Sequence, residues 1–427
     1  MKFFPGVILF LSAIAVPHLA LGQTFRQTSA DDYTRYELLL PESESFRIIY
    51  DVTATAGGAT YYFNGIRRGS EPTVHGVYDL MTGDSLPWEI VDGTRAQAMG
   101  MENASADGQY IQVALPRPVP EGGEVRLRID KTYRDGRSYK TDGDEIIFDR
   151  TLGIKRNSVV LPLGYELVGV NYPSQVTLEE DGRIKVSFFN RGPAGVPYFV
   201  RARPFPNGAP QPIRTTAPDE FADGSATATT TVSSQARVGY TYSERAFQDR
   251  EIVYFLQQPE THSFDLYHDY TENREGMDRY LNVVRAGSRA SNPSAIILDT
   301  GEELTVETLR GSEITERGVD IGGEVTRETE VVVIWYDPVP AGHSVRLRIT
   351  ETYTDPNRYL LVGEELVWDR SFGRPQNTVI LPEGWYLTHS SVPAVVSLYE
   401  DGRVKLDFVN DRQGNIDVFL KARRLGG

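Results

Sequence analysis

Apolar and polar residues alternate along most of this chain. Val125, Leu127 and Ile129 are interleaved with Arg126, Arg128 and Asp130, the period-two pattern of a strand that buries one face. The text from Tyr33, YELLLPESESFRIIYDVT and then TYYFN, reads the same way. Residues 176–180 and 183–188 flank Asp181-Gly182, a strong hairpin signal that recurs at Asp401-Gly402. Leu161-Pro162 and Leu381-Pro382 end strands, and Gly164 and Gly384 turn the chain into the next ones. Helical patterning is scarce: Thr94 to Met101 offers one or two turns. Many short strands joined by Gly, Pro and Asp turns predict an all-β sandwich or barrel.

The pattern occurs twice. Arg126 to Pro204 aligns without a gap on Arg346 to Arg424, 220 positions on, with 32 of 79 pairs identical, the mark of an internal repeat. Upstream the echo continues at an offset of 218: Tyr36, Leu38, Pro41, Glu42, Ser45 and Phe46 answer to Tyr254, Leu256, Pro259, Glu260, Ser263 and Phe264. The two-residue difference places a small insertion in the loops around 90–110 and 305–330. The expected architecture is two tandem homologous antiparallel β-sandwich units from an internal duplication, at 23–204 and 237–427. Residues 205–236, rich in Pro, Thr, Ala and Ser, read as a linker. A further division of each unit near residue 120 is left open.

Residues 1–22 read as an export signal peptide. Lys2 is followed by the apolar run Val7 to Ala20 and by Ala20-Leu21-Gly22 as a small-residue cleavage site. The chain has no Cys, which excludes disulfides, thiol catalysis and a cysteine-linked lipid. The mature protein is therefore expected in the periplasm or outside the cell, with no transmembrane segment. A net charge of -15 argues against a nucleic-acid partner. The 23 Tyr, 18 Phe, 39 Gly and 25 Pro suit strands and turns.

Candidate chemistry is sparse. Gly83-Asp84-Ser85-Leu86 and Asp265-Leu266-Tyr267-His268 resemble the blocks of secreted GDSL-type esterases. That resemblance implies Ser85 as nucleophile, His268 as base and Asp265 as its orienting partner. Against it, the Ser block lies in strand-turn-strand text, and the second copy has Thr300-Gly301-Glu302-Glu303-Leu304 there. Asp265 and His268, three apart on a strand, face opposite sides. The five His after residue 22 form no His-Glu-x-x-His motif. Asp142, Asp144 and Glu145, or Glu102, Asn103 and Asp107, could offer oxygens to calcium, though neither set matches the twelve-residue loop and solvated turns account for both. No catalytic, cofactor-binding or metal residue is assigned, and no cofactor is expected.

Repeated polar pairs are read as structure first. Asp149-Arg150 and Asp369-Arg370 are expected to be structural ion pairs. Trp368 and Trp385 stand where Phe148 and Tyr165 stand, which fits core positions, whereas Trp88 and Trp335 are candidates for exposed contact. The pattern Tyr-x-Asn-x-x-Arg-x-Gly-Ser, at Tyr62 to Ser70 and Tyr280 to Ser288, is either a strand ending in a hydrogen-bonded turn or an anion site present twice.

The stretches YIQVALPRPVPEGGEVRLRIDKTY, VVLPLGYELVGVNYPSQV, EEDGRIKVSF and VPYFVRARP resemble the non-catalytic leading β-sandwich domain of zinc aminopeptidases, and the chain also resembles uncharacterised exported bacterial β proteins. The resemblance covers each repeat, lacks the catalytic domain, and implies a fold rather than an activity. The functional expectation is an exported non-enzymatic protein that binds a protein or envelope partner. The alternatives are a glycan- or peptide-binding accessory protein and an esterase using Ser85.

Overall fold

A computed structural model describes residues 32–192, 194–205, 244–412 and 414–425. The proposed signal peptide and nearly all of the proposed linker lie outside the described residues. The first half forms β1 (Tyr33–Leu38), β2 (Ser45–Ala54), β3 (Tyr61–Ile66), β4 (Glu71–Asp79), β5 (Trp88–Asp92), β6 (Gln109–Ala114) and β7 (Val125–Arg134). It continues with β8 (Tyr139–Asp142), β9 (Glu145–Leu152), β10 (Arg156–Val160), β11 (Tyr165–Val170), β12 (Gln175–Leu178), β13 (Ile184–Phe189) and β14 (Val196–Pro204). The second half repeats the order as β15 (Arg250–Leu256), β16 (Ser263–Glu272), β17 (Arg279–Val283), β18 (Arg289–Ile297), β19 (Thr305–Arg310), β20 (Glu330–Trp335) and β21 (Val345–Thr354). The last seven are β22 (Tyr359–Val362), β23 (Glu365–Phe372), β24 (Gln376–Ile380), β25 (Trp385–Ser390), β26 (Val395–Leu398), β27 (Val404–Val409) and β28 (Ile416–Arg424).

Strand accounts for 54% and helix for 6%, so the all-β reading holds. The short helices α1 (Gly93–Ala98) and α2 (Ser312–Glu316) occupy equivalent loops. Asp92 caps α1 by accepting from the Arg95 backbone N–H. Among the described residues no helix is long and apolar enough to cross a membrane.

Each half builds three sheets in the same order. A seven-stranded sheet, β12-β13-β10-β1-β2-β7-β4, is matched by β26-β27-β24-β15-β16-β21-β18. The four-stranded sheets are β11-β14-β9-β8 and β25-β28-β23-β22, and the three-stranded ones β3-β6-β5 and β17-β20-β19. The pairing is antiparallel except that β1 runs parallel to β10 and β15 to β24. Because the large sheet takes strands from both sides of residue 120, neither unit divides there. At the hairpin tips Gly182 and Gly402 adopt φ of 86° and 87°, a left-handed conformation that glycine reaches without steric cost.

The two cores are equivalent residue by residue. Phe46, Tyr133, Phe148, Val159 and Phe188 are buried in the first, and Phe264, Tyr353, Trp368, Val379 and Phe408 in the second. Trp368 packs edge-on against Phe264 at 4.7 Å, and Trp385 is buried too, so both rings are core as the repeat alignment required.

One expectation needs correction. The polar face of β7 is not left to solvent: Arg126 is 5% exposed and Asp130 9%. Arg126 is covered by the other unit. Its guanidinium donates from Nε and Nη2 to both oxygens of Asp299, at 2.9 and 2.7 Å. Arg346, its equivalent on β21, reaches back to Glu124 (Nε to Oε1, 2.7 Å) and also contacts Asp249. Arg117 spans the same seam, donating to the Asp299 carbonyl at 2.6 Å and to Asp79 at 2.9 Å. The backbone joins as well: Glu124 N–H donates to Leu298 O, and Ser344 N–H, at the equivalent position, to Met81 O. A second contact zone places Arg191 on Gln376 and Asp407, at 2.6 and 2.8 Å. Opposite charges held this deeply attract strongly, and removing Asp299 would strand Arg126.

Candidate binding surfaces

The residues implied by the esterase resemblance are not brought together. Ser85 is exposed on a polar hairpin tip of the first unit, where its backbone bridges to Tyr78. The second unit repeats the bridge between Ile296 and Glu303. His268 is buried in the second unit. Its Nδ1 lies 3.3 Å from the Tyr280 hydroxyl, and its Nε2 has no partner. Burial, reinforced by Arg374, Arg250 and Arg346, holds the imidazole pKa well below its usual value. Asp265 accepts instead from Thr352 at 2.7 Å and from Gln257. Neither nitrogen of His268 meets a serine or a carboxylate, so the relay that would activate Ser85 is not assembled.

The other candidates divide in the same manner. Glu145 is engaged by Arg201 at 2.7 Å, and Asp107 by Arg68 and by Ser105; among the described residues no group of three or more His, Asp or Glu could hold a metal ion. Trp335 is not the open platform expected of it. Arg279 and Arg317 lie over its ring at 4.6 and 4.8 Å, and its Nε1 donates to Glu307. Trp88 is 39% exposed. A cavity of about 370 Å³ beside the seam is lined by Arg47, Tyr78, Asp79, Arg128 and Asp130, with Gly342 from the second unit. Its charges are paired, Arg47 with Asp130 at 2.6 Å and Arg128 with Asp51 at 2.6 Å.

The expected Asp149–Arg150 and Asp369–Arg370 pairs are not formed. Neighbours on a strand point to opposite faces: Asp149 and Asp369 are exposed, while Arg150 and Arg370 turn inward. Arg150 lies 3.5 Å from the buried Asp135, and Arg370 3.2 Å from Asp355. Both guanidinia cap the aromatic core, Arg150 over Tyr36, Phe46 and Tyr133, and Arg370 over Phe264 and Trp368.

The Tyr-x-Asn-x-x-Arg-x-Gly-Ser pattern does end its strand in a hydrogen-bonded turn, with Ser70 N–H on Arg67 O and Ser288 N–H on Arg285 O. Gly69 and Gly287 sit at φ of 81° and 84° there, and a Cβ on either would crowd Arg137 or Asn357. The Asn in the pattern has a role that its own spacing does not reveal. Asn64 accepts from the buried Lys131 ammonium, whereas Asn282 donates from Nδ2 to Glu351, at 2.9 and 2.7 Å. The signal was present in the alternation, where Lys131 is in phase with Val125, Leu127 and Ile129, and Glu351 with Val345, Leu347 and Ile349.

The ends of the large sheets far from β4 and β18 are open. β12 and β26 are edge strands that pair only with β13 and β27. Val176 and Leu178 are 52% and 71% exposed, and the identical Val396 and Leu398 are 54% and 71% exposed. Val176 lies opposite buried Val186, and Val396 opposite buried Leu406. These side chains therefore extend the core-facing side of each sheet past its cover.

No family profile matches the chain, and no curated protein matches it. Among solved structures it is similar to an M1 zinc metallopeptidase from Deinococcus radiodurans, at 14% identity over 44% of this chain and 49% of that one, with a TM-score of 0.28. The same enzyme bound to a Tyr-Ser-Ala substrate gives 14% identity, 44% and 50% coverage, and a TM-score of 0.28. An aminopeptidase N family protein from Idiomarina loihiensis is 10% identical over 40% of this chain and 29% of that one, with a TM-score of 0.25. The chain spans half or less of the length of these relatives. The resemblance is weak, lies at the level of fold, and agrees with the one carried by the strand cadence of each repeat. It brings no activity to this chain.

Proposed function

We propose that this is an exported, non-enzymatic β-sandwich binding protein of the cell envelope, which holds extended segments of a partner protein along β12 and β26. The observation that carries the reading is the pair of open sheet edges, each presenting the same exposed Val and Leu. An edge strand offers unpaired N–H and C=O groups, and an added strand satisfies them while its alternate side chains select the sequence. Apolar residues at every second position of the guest would lie beside Val176 and Leu178, or Val396 and Leu398.

Charge favours a basic guest. The chain carries -15 overall, and the exposed Glu180 and Glu400 follow the two edges. A second copy would bring the same sign to the same place, so a Lys- or Arg-bearing segment is the better complement. Two edges held in one molecule raise avidity for a partner that offers two such segments.

The test is fluorescence anisotropy with a labelled peptide of alternating Val and Lys. Saturable binding that Leu178→Lys together with Leu398→Lys weakens at least about tenfold is expected, since like charge placed in a contact costs affinity directly. No binding by the natural protein, or equal binding by the double variant, sinks the edge assignment. The export part rests on residues 1–22 and requires the mature chain to begin at Gln23; an unprocessed N-terminus would refute it. A glycan-binding reading is favoured by Trp88 alone, and Trp88→Ala leaving retention on polysaccharides unchanged would remove that support.

A further inference from the structure

The first unit gathers three guanidinia around one buried carboxylate, and the second sets Arg370 on the equivalent carboxylate with the charges of Arg285 and Arg358 nearby. In the first, Asp135 is fully buried and lies 3.8 Å from Arg67 Nε, 3.4 Å from Arg137 Nε and 3.5 Å from Arg150 Nη1. Arg67 and Arg150 also converge on one hydroxyl, that of Ser138, at 3.1 and 3.4 Å. In the second, Arg370 is 3.2 Å from Asp355. Arg285 has Arg370, Arg358 and Asp355 as its neighbouring charges. The third arginine comes from different positions in the two turns: Arg137 aligns with Asn357, and Arg358 with Ser138.

One carboxylate neutralises one guanidinium, so three arginines against Asp135 leave an excess of two positive charges. Burial and then Arg150 work against the protonated form of Arg67, and burial and then Arg370 do the same to Arg285. That is the signature of like charges held together without a full counter-charge. In the second unit two buried polar atoms beside the cluster have no partner, Ser288 Oγ and Arg370 Nε. In the first, the equivalent Ser70 donates to Asp135 at 3.0 Å. A net negative protein that concentrates positive charge twice, at the same place in its fold, is supplying it to something.

We infer that each cluster is a binding site for a doubly charged oxyanion, a phosphate or sulfate group, held by Arg67 in the first unit and Arg285 in the second above the fixed Arg150 and Arg370. Planar guanidinia present paired N–H donors that match tetrahedral oxyanions, and a dianion balances the excess of two that a single carboxylate would leave half compensated. Arg67 is the accessible donor, with 39% of its side chain exposed, while Arg150 is 12% exposed and pinned against the aromatic core. The first site is the tighter one. In the second unit Arg358 leans toward the exposed Asp369 at 3.9 Å, and a buried carboxyl, Glu351, stands where the first unit has Lys131.

The experiment is calorimetric titration of the full mature chain with inorganic phosphate and with sulfate at constant ionic strength, using acetate as the singly charged control. Two bound dianions per chain are expected, the first with a dissociation constant of about 1 mM or below. Arg67→Gln should remove the tighter one, and Arg67→Gln with Arg285→Gln should remove both. Arg423→Gln, at an exposed arginine outside the clusters, should leave both in place. Because Arg67 lies at the surface, unchanged circular dichroism is expected of its variant. An Arg150→Lys variant, which keeps the charge but loses the fork, should weaken the first site by about tenfold. No saturable phosphate or sulfate binding below about 10 mM, equal stoichiometry in the double variant, or acetate binding as tightly as phosphate would each overturn the inference. None of these outcomes bears on peptide binding at the sheet edges.

Discussion

The two units share a fold and a core, yet they place residues of opposite charge type at matching buried or half-buried positions. Asp32 in the first unit aligns with Arg250 in the second, and Lys131 with Glu351. Asp32 accepts from the Thr53 N–H and the Tyr50 hydroxyl; Arg250 instead lies over the Tyr270 ring at 4.3 Å. Tyr50 itself is replaced by His268. The residue type at each of the two positions has switched between acidic and basic. A duplicated scaffold constrains where a polar group may sit and how many hydrogen bonds it finds. It leaves the charge free to change wherever the partner can donate as well as accept. Asn64 and Asn282 are such partners, because a carboxamide offers an oxygen on one side and two N–H groups on the other.

Breaking that partner should have the largest effect. Asn64→Leu leaves the Lys131 ammonium without its oxygen, and a loss of about 2–3 kcal/mol in urea unfolding is expected; Asn282→Leu should cost a similar amount through Glu351. A loss below about 0.5 kcal/mol in both would mean that water replaces the amide with ease.

The pH dependence of the two units should differ in sign. Burial, with Arg150 beside it, pushes the Lys131 pKa down from 10.5 to about 7. The unfolded chain then holds more protons between those values, so this group's contribution to stability rises with pH across the window. Glu351 is pushed up by burial, so its contribution is full at low pH and falls as pH rises through its folded value. Lys131→Met should therefore stabilise more at pH 6 than at pH 9, by on the order of 2 kcal/mol, and Glu351→Gln more at pH 9 than at pH 5. Thermal unfolding at these pH values checks both; equal gains at all pH would refute the assignment.

The seam sharpens the comparison, because Glu124 stands where the second unit has the neutral Ser344. Burial raises the Glu124 pKa from 4.5 to about 7 against the pull of Arg346 and Arg126. Its stabilising contribution is thus present below pH 4.5 and lost as pH rises through about 7. Glu124→Gln should raise the melting temperature at pH 8 by roughly 1 kcal/mol equivalent and change little at pH 5, with Arg346 still held by Asp249. A lower melting temperature at pH 8 would show that the ionised pair outweighs its desolvation. The smallest effect belongs to Lys131→Glu, which should fold within about 1 kcal/mol of the natural protein because Asn64 can turn its amide over.

Much of this was legible in the chain itself. The Asp181-Gly182 and Asp401-Gly402 hairpins, the short helix after Trp88 and the burial of Trp368 and Trp385 followed from local pattern and from the 220-residue echo. The candidate surfaces were harder to read. Proximity along the chain pairs Arg150 with Asp149, but strand geometry sends neighbours to opposite faces and gives Arg150 to Asp135 instead. Trp335 has no aromatic counterpart in the first unit, which points to exposure, but Arg279 and Arg317 lie across its ring. Val176 and Leu178 looked like any strand interior, since an edge is a property of the sheet and not of the strand.

Sequence alone determined what repeats and what alternates: two copies of one β architecture, their turns, and the residues that must share a core, because the period of a strand and the needs of a turn are local. Only the tertiary structure decided which polar faces meet water. The alternation that marks Arg126 as outward is the same for a solvated strand and for one covered by a second unit. Burial under that unit turns Arg126, Arg346, Glu124 and Asp299 from surface charges into an interior network, and no pattern along the chain distinguishes the two, because desolvation is set by what packs on top.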